Sequence, residues 1–214
     1  MPRLLELYSG TGSMGKAFRK VGWKVVSVDL RADFNPDICC DVLDFDVGML
    51  EGKPVDVIWA SPPCTQYSCA RTRAKTARDL VGSDKLVQKV LDVAADLNAT
   101  YFIENPHSGL LKTRTVVADC PMQILDYCKY NALYRKRTSI WTDSGWSPMR
   151  ALCKYDCNVS SGHRHNSRTQ RASDGERPFS LEELYSIPES LCNGIAEAMN
   201  TRFLSSLPSS SSYP

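Results

Sequence analysis

Residues Asp56–Ser68 constrain this chain more than any other stretch. Val57-Ile58-Trp59-Ala60 is a short apolar run, β-branched and aromatic, and it breaks at Pro62-Pro63. Proline fixes its own φ and cannot donate to a sheet ladder, so a strand here must end at that point. Cys64 follows at once, which presents its thiol just past the end of a buried strand. In an open α/β sheet, ligands bind beyond the carboxyl ends of the strands. The thiol is therefore placed for chemistry. The competing reading is a buried structural cysteine, since free cysteine is among the most buried residue types.

The same construction recurs along the chain. Residues 3–8 read as a first strand and run into Ser9-Gly10-Thr11-Gly12-Ser13-Met14-Gly15, then a helical pattern over Lys16–Val21. Glycines at 10, 12 and 15 match the G-x-G-x-x-G spacing, which lets a ligand approach the backbone and the helix N–H groups. The next strand, Lys24–Val28, ends in Asp29, where a carboxylate could take the hydroxyls of a ribose or simply face solvent. A third short element, Asp37–Val42, contains Asp41, which could accept from the exocyclic amine of a purine or cap the following turn. After the Cys64 stretch, Gly82–Leu97 has apolar residues at helical spacing and reads as a crossover helix. A fifth strand, Thr100–Ile103, ends in Glu104-Asn105-Pro106. Strands alternating with helices predict an α/β fold with a doubly wound, mostly parallel sheet. Adjacent fourth and fifth strands would bring Cys64 and Glu104 to one edge; a glutamate there could equally pair with a lysine or arginine. Segments 122–130 and Thr138–Trp141 predict an antiparallel hairpin toward the C-terminal end, with Tyr134-Arg135-Lys136-Arg137 between them.

Composition sets the limits. A chain of 214 residues, 43% hydrophobic and 23% charged, predicts one globular domain over 1–204 with a tail, 205–214, too rich in serine and proline to order. No window approaches the roughly 18 apolar residues of a membrane span. The N-terminus passes from Met-Pro-Arg into a strand with no room for a signal peptide, which predicts an intracellular protein, cytoplasmic or nuclear. Nine scattered cysteines then point to reduced thiols, catalysis or metal binding rather than a disulfide framework. The net charge of +2 is small, but Lys and Arg gather at 71–78, 112–114, 135–137 and 164–171, faces that could track phosphates or merely be solvated.

Residues 150–178 form an insertion of different character, poor in apolar side chains and dense in Cys, His, Arg and Ser. Cys153, Cys157, His163 and His165 could hold one Zn²⁺. Cys128 is a substitute ligand. Without a metal the segment reads as a basic substrate loop. Beyond it, Ser180 and Glu183 form a capping box, and Pro188–Leu204 is a terminal helix with Leu191, Ile195, Ala198 and Met199 on one face.

Taken in order, Glu6-Leu7-Tyr8-Ser9-Gly10-Thr11-Gly12-Ser13, Ser61-Pro62-Pro63-Cys64, Glu104-Asn105-Pro106 and Tyr134-Arg135-Lys136-Arg137 resemble four motifs of the DNA cytosine-5 methyltransferases. These are the cofactor loop, the Pro-Cys nucleophile, the Glu-Asn pair and the Arg-x-Arg motif. Residues 181–188 with 193–199 resemble a shortened form of that family's last two motifs. The resemblance implies a Rossmann-like methyltransferase fold and S-adenosylmethionine as cofactor. It would be held by Tyr8, Ser9, Gly10, Thr11, Gly12, Ser13, Asp29, Leu30, Asp41, Val42 and Pro62. It implies Cys64 as a nucleophile on C6 of cytosine, Glu104 in its acid form at N3, Asn105 positioning the cysteine loop, and Arg135 and Arg137 bracing the base or a phosphate. The target base would be flipped out of DNA or already single-stranded. The chain departs from the family in three places. Pro106 stands where valine is usual, the cofactor loop lacks a further glycine, and only 150–178 stands where a large target-recognition domain is expected. Such economy suits a monomeric enzyme of viral or phage type with relaxed specificity. The residues leave three alternatives: the same chemistry on RNA, a silent nucleic-acid-binding relative, and a zinc-dependent binding module.

Overall fold

The chain enters its fold in the middle of a sheet. Strand β1 (Arg3–Leu7) pairs in parallel with β2 (Lys24–Asp29) on one side and with β4 (Val57–Ala60) on the other. β2 carries β3 (Ile38–Cys39) at one edge, and β4 pairs in parallel with β5 (Thr100–Pro106). Antiparallel β7 (Arg137–Thr142) then pairs with β5, and β6 (Met122–Asp126) closes the far edge. The order is therefore β3-β2-β1-β4-β5-β7-β6, a mostly parallel seven-stranded sheet ending in an antiparallel hairpin. The computed structural model describes residues 1–71, 74–165 and 179–206. Residues 166–178 of the Cys/His/Arg-rich insertion and 207–214 of the tail lie outside the described residues.

Both faces of the sheet are covered, which is why its parallel strands read as continuous apolar runs. Alternation along each strand sorts the side chains. Leu4, Trp59, Phe102 and Ile140 face α1 (Ser13–Lys20) and α4 (Glu189–Ser206), where they meet Phe18, Leu191 and Ile195. Leu5, Ile58, Ile103 and Trp141 face α2 (Leu80–Leu97), where they meet Val87 and Val90. Asp79 caps α2 by accepting from the Gly82 N–H at 2.7 Å, so the helix starts at Leu80, two residues before the predicted Gly82. The capping box forms as expected: the Glu183 N–H donates to Ser180 Oγ at 3.1 Å, and the Ser180 N–H to Glu183 Oε2 at 2.7 Å, opening α3 (Leu181–Tyr185).

Further boundaries differ from the sequence reading. β5 does not stop at Ile103 but continues through Glu104, Asn105 and Pro106, because antiparallel β7 gives these residues partners after β4 has ended. Pro106 takes the last position, where a missing N–H costs least. Segment 122–130 is a strand only to Asp126; Tyr127–Tyr130 turns as a 3₁₀ helix that ends at Asn131 with φ 68°. Residues 205 and 206, read as tail, extend α4. No helix among the described residues is long and apolar enough to cross a membrane.

Candidate active site

The strand order reverses between β1 and β4, and a crevice opens beyond their carboxyl ends, where doubly wound sheets bind ligands. One continuous cavity of about 470 Å³ occupies it. Its wall includes Tyr8 to Thr11 and Ser13, then Asp29, Leu30, Asp41 and Val42, and on the opposite side Pro62, Cys64, Glu104 and Asn105. Of the eleven residues the resemblance assigns to the cofactor, all but Gly12 line it. Gly12 is the N-cap of α1 at φ 67°, and Gly10 has φ 46°, the left-handed conformations that glycine tolerates best.

Glu6 decides what the glycine loop can hold. It is the one buried charged residue of β1 and is 2% exposed. Its carboxylate accepts the N–H groups of Met14 and Gly15 at 3.1 Å each. Burial pushes its pKa up to about 7, with those two N–H groups, Arg19 and Lys16 limiting the rise. In dinucleotide sites the helix N-terminus binds pyrophosphate; here a side-chain carboxylate already fills that position. The loop therefore fits a nucleoside without phosphates. Asp29 supports the same fit: Oδ2 accepts from the Gly10 N–H at 2.8 Å and Oδ1 from the Arg31 N–H at 2.9 Å, which fixes the carboxylate at the cavity wall. Leu30 beside it is 67% exposed, an open apolar surface for a flat ring. Asp41 accepts from the Leu43 N–H at 2.9 Å, turning the chain as it faces the cavity.

Across the cavity, Cys64 follows β4 as its prolines require. Asn105 Nδ2 donates to the Pro62 carbonyl at 2.9 Å, two residues before the thiol, while Asn105 Oδ1 is buried and accepts from none of the described residues. The thiol is pushed up by burial, pulled back by the Lys136 ammonium, and pushed up again by the Glu104 carboxylate. Glu104 is 5% exposed and accepts from the Tyr127 hydroxyl at 3.0 Å; Lys136 Nζ lies 3.6 Å from the same oxygen. A thiol, a carboxyl and an ammonium thus form one electrostatic unit.

The arginines lie elsewhere. Arg137 Nε and Nη2 donate to both oxygens of Asp126, at 3.0 and 2.8 Å, and Arg135 Nε donates to Asp126 Oδ1 at 3.2 Å. The Asp126 side chain is fully buried. Burial alone would raise its pKa, but Arg137, the Cys153 N–H and Arg135 together hold it below the usual carboxylate range. Neither arginine lines the cavity; Lys136, between them, does. The expected ligand set also differs. Cys128, Cys153, Cys157 and His165 converge, whereas His163 stands outside that group with its ring 6.1 Å from Tyr155. Sequence reasoning missed Glu6, Lys136 and Tyr127 as site residues. Only Glu6 left a signal, a charge inside an apolar strand.

Sheet order, a phosphate-free nucleoside pocket and a thiol across from it define the class: a Rossmann-like α/β methyltransferase. An E. coli protein described as "putative DNA modification methyltransferase encoded within prophage" shares the fold, superposing on 66% of this chain and 46% of its own with TM-score 0.50 at 16% identity. The S. pombe Dnmt2 methyltransferase superposes on 74% of this chain and 59% of its own with TM-score 0.49, also at 16% identity. The chain thus spans about half the length of these solved structures. No family model matches. A Frog virus 3 (isolate Goorha) protein described as "Probable DNA (cytosine-5)-methyltransferase" is 34% identical over 211 residues, 88% of this chain and 96% of that protein. The chain belongs to the DNA cytosine-5 methyltransferase family.

Proposed function

We propose that this chain methylates C5 of cytosine in DNA through a covalent bond between Cys64 and C6 of the base. The observation that carries the reading is the single cavity shared by the glycine loop and Cys64. S-adenosylmethionine, held between the loop, Asp29, Leu30, Asp41 and Val42, supplies an activated methyl group on a sulfonium. It has no phosphate to compete with Glu6 for the N-terminus of α1.

C5 of cytosine is too weak a nucleophile to take that methyl group unaided. The Cys64 thiolate adds to C6, forming a C–S bond and moving the C5–C6 π electrons into the ring as an enamine. Glu104 in its acid form donates to N3, where the charge of that addition collects. Lys136 assists both steps as a fixed positive charge. Asn105 holds the Pro62 carbonyl and thereby the approach of Cys64. Once C5 had taken the methyl group, with the S–CH3 bonding pair left on sulfur as a neutral thioether, loss of the C5 proton to solvent would expel Cys64, and return of the N3 proton to Glu104 would restore the aromatic ring. A base inside a duplex cannot reach the thiol, so the cytosine is flipped out or unpaired.

The viral relative and the absence of a large recognition domain support a compact, monomeric, virus-encoded enzyme that reads little sequence around its target. Transfer of labelled methyl groups should be compared on duplex DNA, single-stranded DNA and tRNA. The expected product is 5-methylcytosine in DNA. Transfer to tRNA alone would reject DNA as the substrate.

A further inference from the structure

Away from the cavity, four soft donors meet at one point. Cys128 comes from the turn after β6, Cys153 and Cys157 from the loop after β7, and His165 from β9 (Arg164–His165), which pairs with β8 (Ser160–Ser161). Their ligand atoms all lie within 4.8 Å of one another, and Cys153 Sγ is 3.4 Å from His165 Nε2. Zn–S and Zn–N bonds of about 2.3 and 2.0 Å place tetrahedral ligand atoms roughly 3.5–4 Å apart, so a small inward adjustment closes the shell. The cytosine chemistry uses none of these residues.

The surroundings explain why a metal is needed. From Ser147 to His165, Cys153 is the sole fully buried side chain. β8 and β9 are two residues each, far short of a hairpin that holds itself. A segment that cannot bury apolar surface needs a covalent or metal staple, and all nine cysteines are free. The ligands also have supporting contacts. The Ser160 N–H donates to the Cys157 carbonyl at 3.1 Å, and the Ser160 hydroxyl to the same carbonyl at 2.8 Å. Lys129 lines one surface pocket with Cys128 and Cys157, and Arg137 meets the Cys153 N–H at Asp126 Oδ2. Three thiolates, one neutral imidazole and Zn²⁺ carry a net single negative charge, which these cations offset.

We propose that Cys128, Cys153, Cys157 and His165 bind a structural Zn²⁺ that fastens the insertion to the Arg135–Asp126–Arg137 cluster beside the catalytic cavity. Three thiols give up their protons as three Zn–S bonds form, and His165 enters as the neutral ring. With four protein ligands the shell is closed, as in structural rather than catalytic zinc sites. The fastening runs through Asp126, whose Oδ2 accepts the Cys153 N–H at 3.0 Å and Arg137 Nη2 at 2.8 Å. Arg135 adds a second tie, with its guanidinium 5.8 Å from the Tyr155 ring centroid, and the Tyr155 ring is 5.4 Å from His165. The strand end that carries Lys136 toward Glu104 is thereby held by the metal loop. Only this last consequence rests on the methyltransferase reading.

The test uses the full chain, prepared without added metal. Elemental analysis should find one zinc per chain, and Co²⁺ exchanged into the site should show thiolate charge-transfer and tetrahedral d–d bands. Cys157→Ser and His165→Ala should each lose most of the zinc, with circular dichroism verifying that the α/β core remains. His163→Ala, two residues from a ligand, should keep it. Should both ligand variants fail to fold, the wild-type zinc count and Co²⁺ spectrum still decide. Wild-type protein without zinc, a disulfide among the three cysteines, Co²⁺ bands without thiolate character, or loss of zinc in His163→Ala would each overturn the site. None of these readouts uses methyl transfer, so a failure here and a failure of the catalytic reading are separable.

Discussion

Glu6 offers a test whose sign the structure fixes. Burial pushes this carboxyl from its ordinary value of 4.5 up to about 7 against the two N–H groups of α1 and the charges of Arg19 and Lys16. In the unfolded chain it titrates near the ordinary value, so between those pH values the folded state holds a proton that the unfolded state releases. Its contribution to stability is fully present below the unfolded value and is lost as pH rises through the folded one. The interval from 4.5 to about 7, at roughly 1.4 kcal/mol per pH unit, amounts to about 3.5 kcal/mol in full, most of it between pH 4.5 and 8. Glu6→Gln keeps the shape and removes the titration. It turns one amide NH₂ toward a backbone N–H, which lowers stability by a similar amount at every pH. Urea unfolding of both proteins without cofactor, from pH 4.5 to 8, separates the two effects. The stability of Glu6→Gln minus that of the wild type should rise by about 3 kcal/mol across that range and then level off. Parallel curves would refute the buried, proton-holding carboxyl and with it the account of the glycine loop.

Lys136→Gln removes the cation that pulls the Cys64 thiol down, so the alkaline rise of the pH–rate profile should move to higher pH; an unmoved profile would exclude Lys136 from the thiol's electrostatics. Asn105→Ala frees the Pro62 carbonyl and should cost about 1–2 kcal/mol in stability, slowing methyl transfer while leaving cofactor affinity intact. Equal losses of both would assign Asn105 to the cofactor instead. Arg137→Ala should destabilise by about 2–3 kcal/mol, because it takes two of the hydrogen bonds of buried Asp126. Arg135→Ala removes one and should cost less; the reverse order would contradict the pairing seen.

The parts of the fold legible in the sequence are those where one local rule acts alone. β4 ends at Pro62-Pro63, Cys64 follows, and Glu104 and Asn105 reach the same crevice because β4 and β5 are neighbours. Asp29 and Asp41 needed only a strand end to find the cavity. The Arg-x-Lys-Arg run shows where local reading stops. Alternation puts Arg135 and Arg137 on one side and Lys136 on the other, but which side is the cavity depends on how β7 pairs with β5. The register Glu104↔Ile140 gives that side to residues 140, 138 and 136. The metal ligands show the same limit. Cys153 and Cys157 are close in sequence, but Cys128 reaches them only because β6 and β7 form the sheet edge, and the turn at Gly162 and His163 leaves His163 off β9, which carries His165 to the group. Glu6 was visible as a charge in an apolar strand, yet its partners became clear only when α1 folded back over β1.

The central claim is a covalent bond from Cys64 to the base, and a 5-fluorocytosine oligonucleotide with S-adenosylmethionine tests it most directly. Fluorine at C5 cannot leave as the proton does, so the enzyme stays attached after methyl transfer. The expected result is a stable protein–DNA adduct, resolved by denaturing electrophoresis and mapped by mass spectrometry to Cys64, and absent from Cys64→Ala. Methyl transfer to cytosine with no adduct from the wild-type protein, or an adduct that persists in Cys64→Ala, would contradict it.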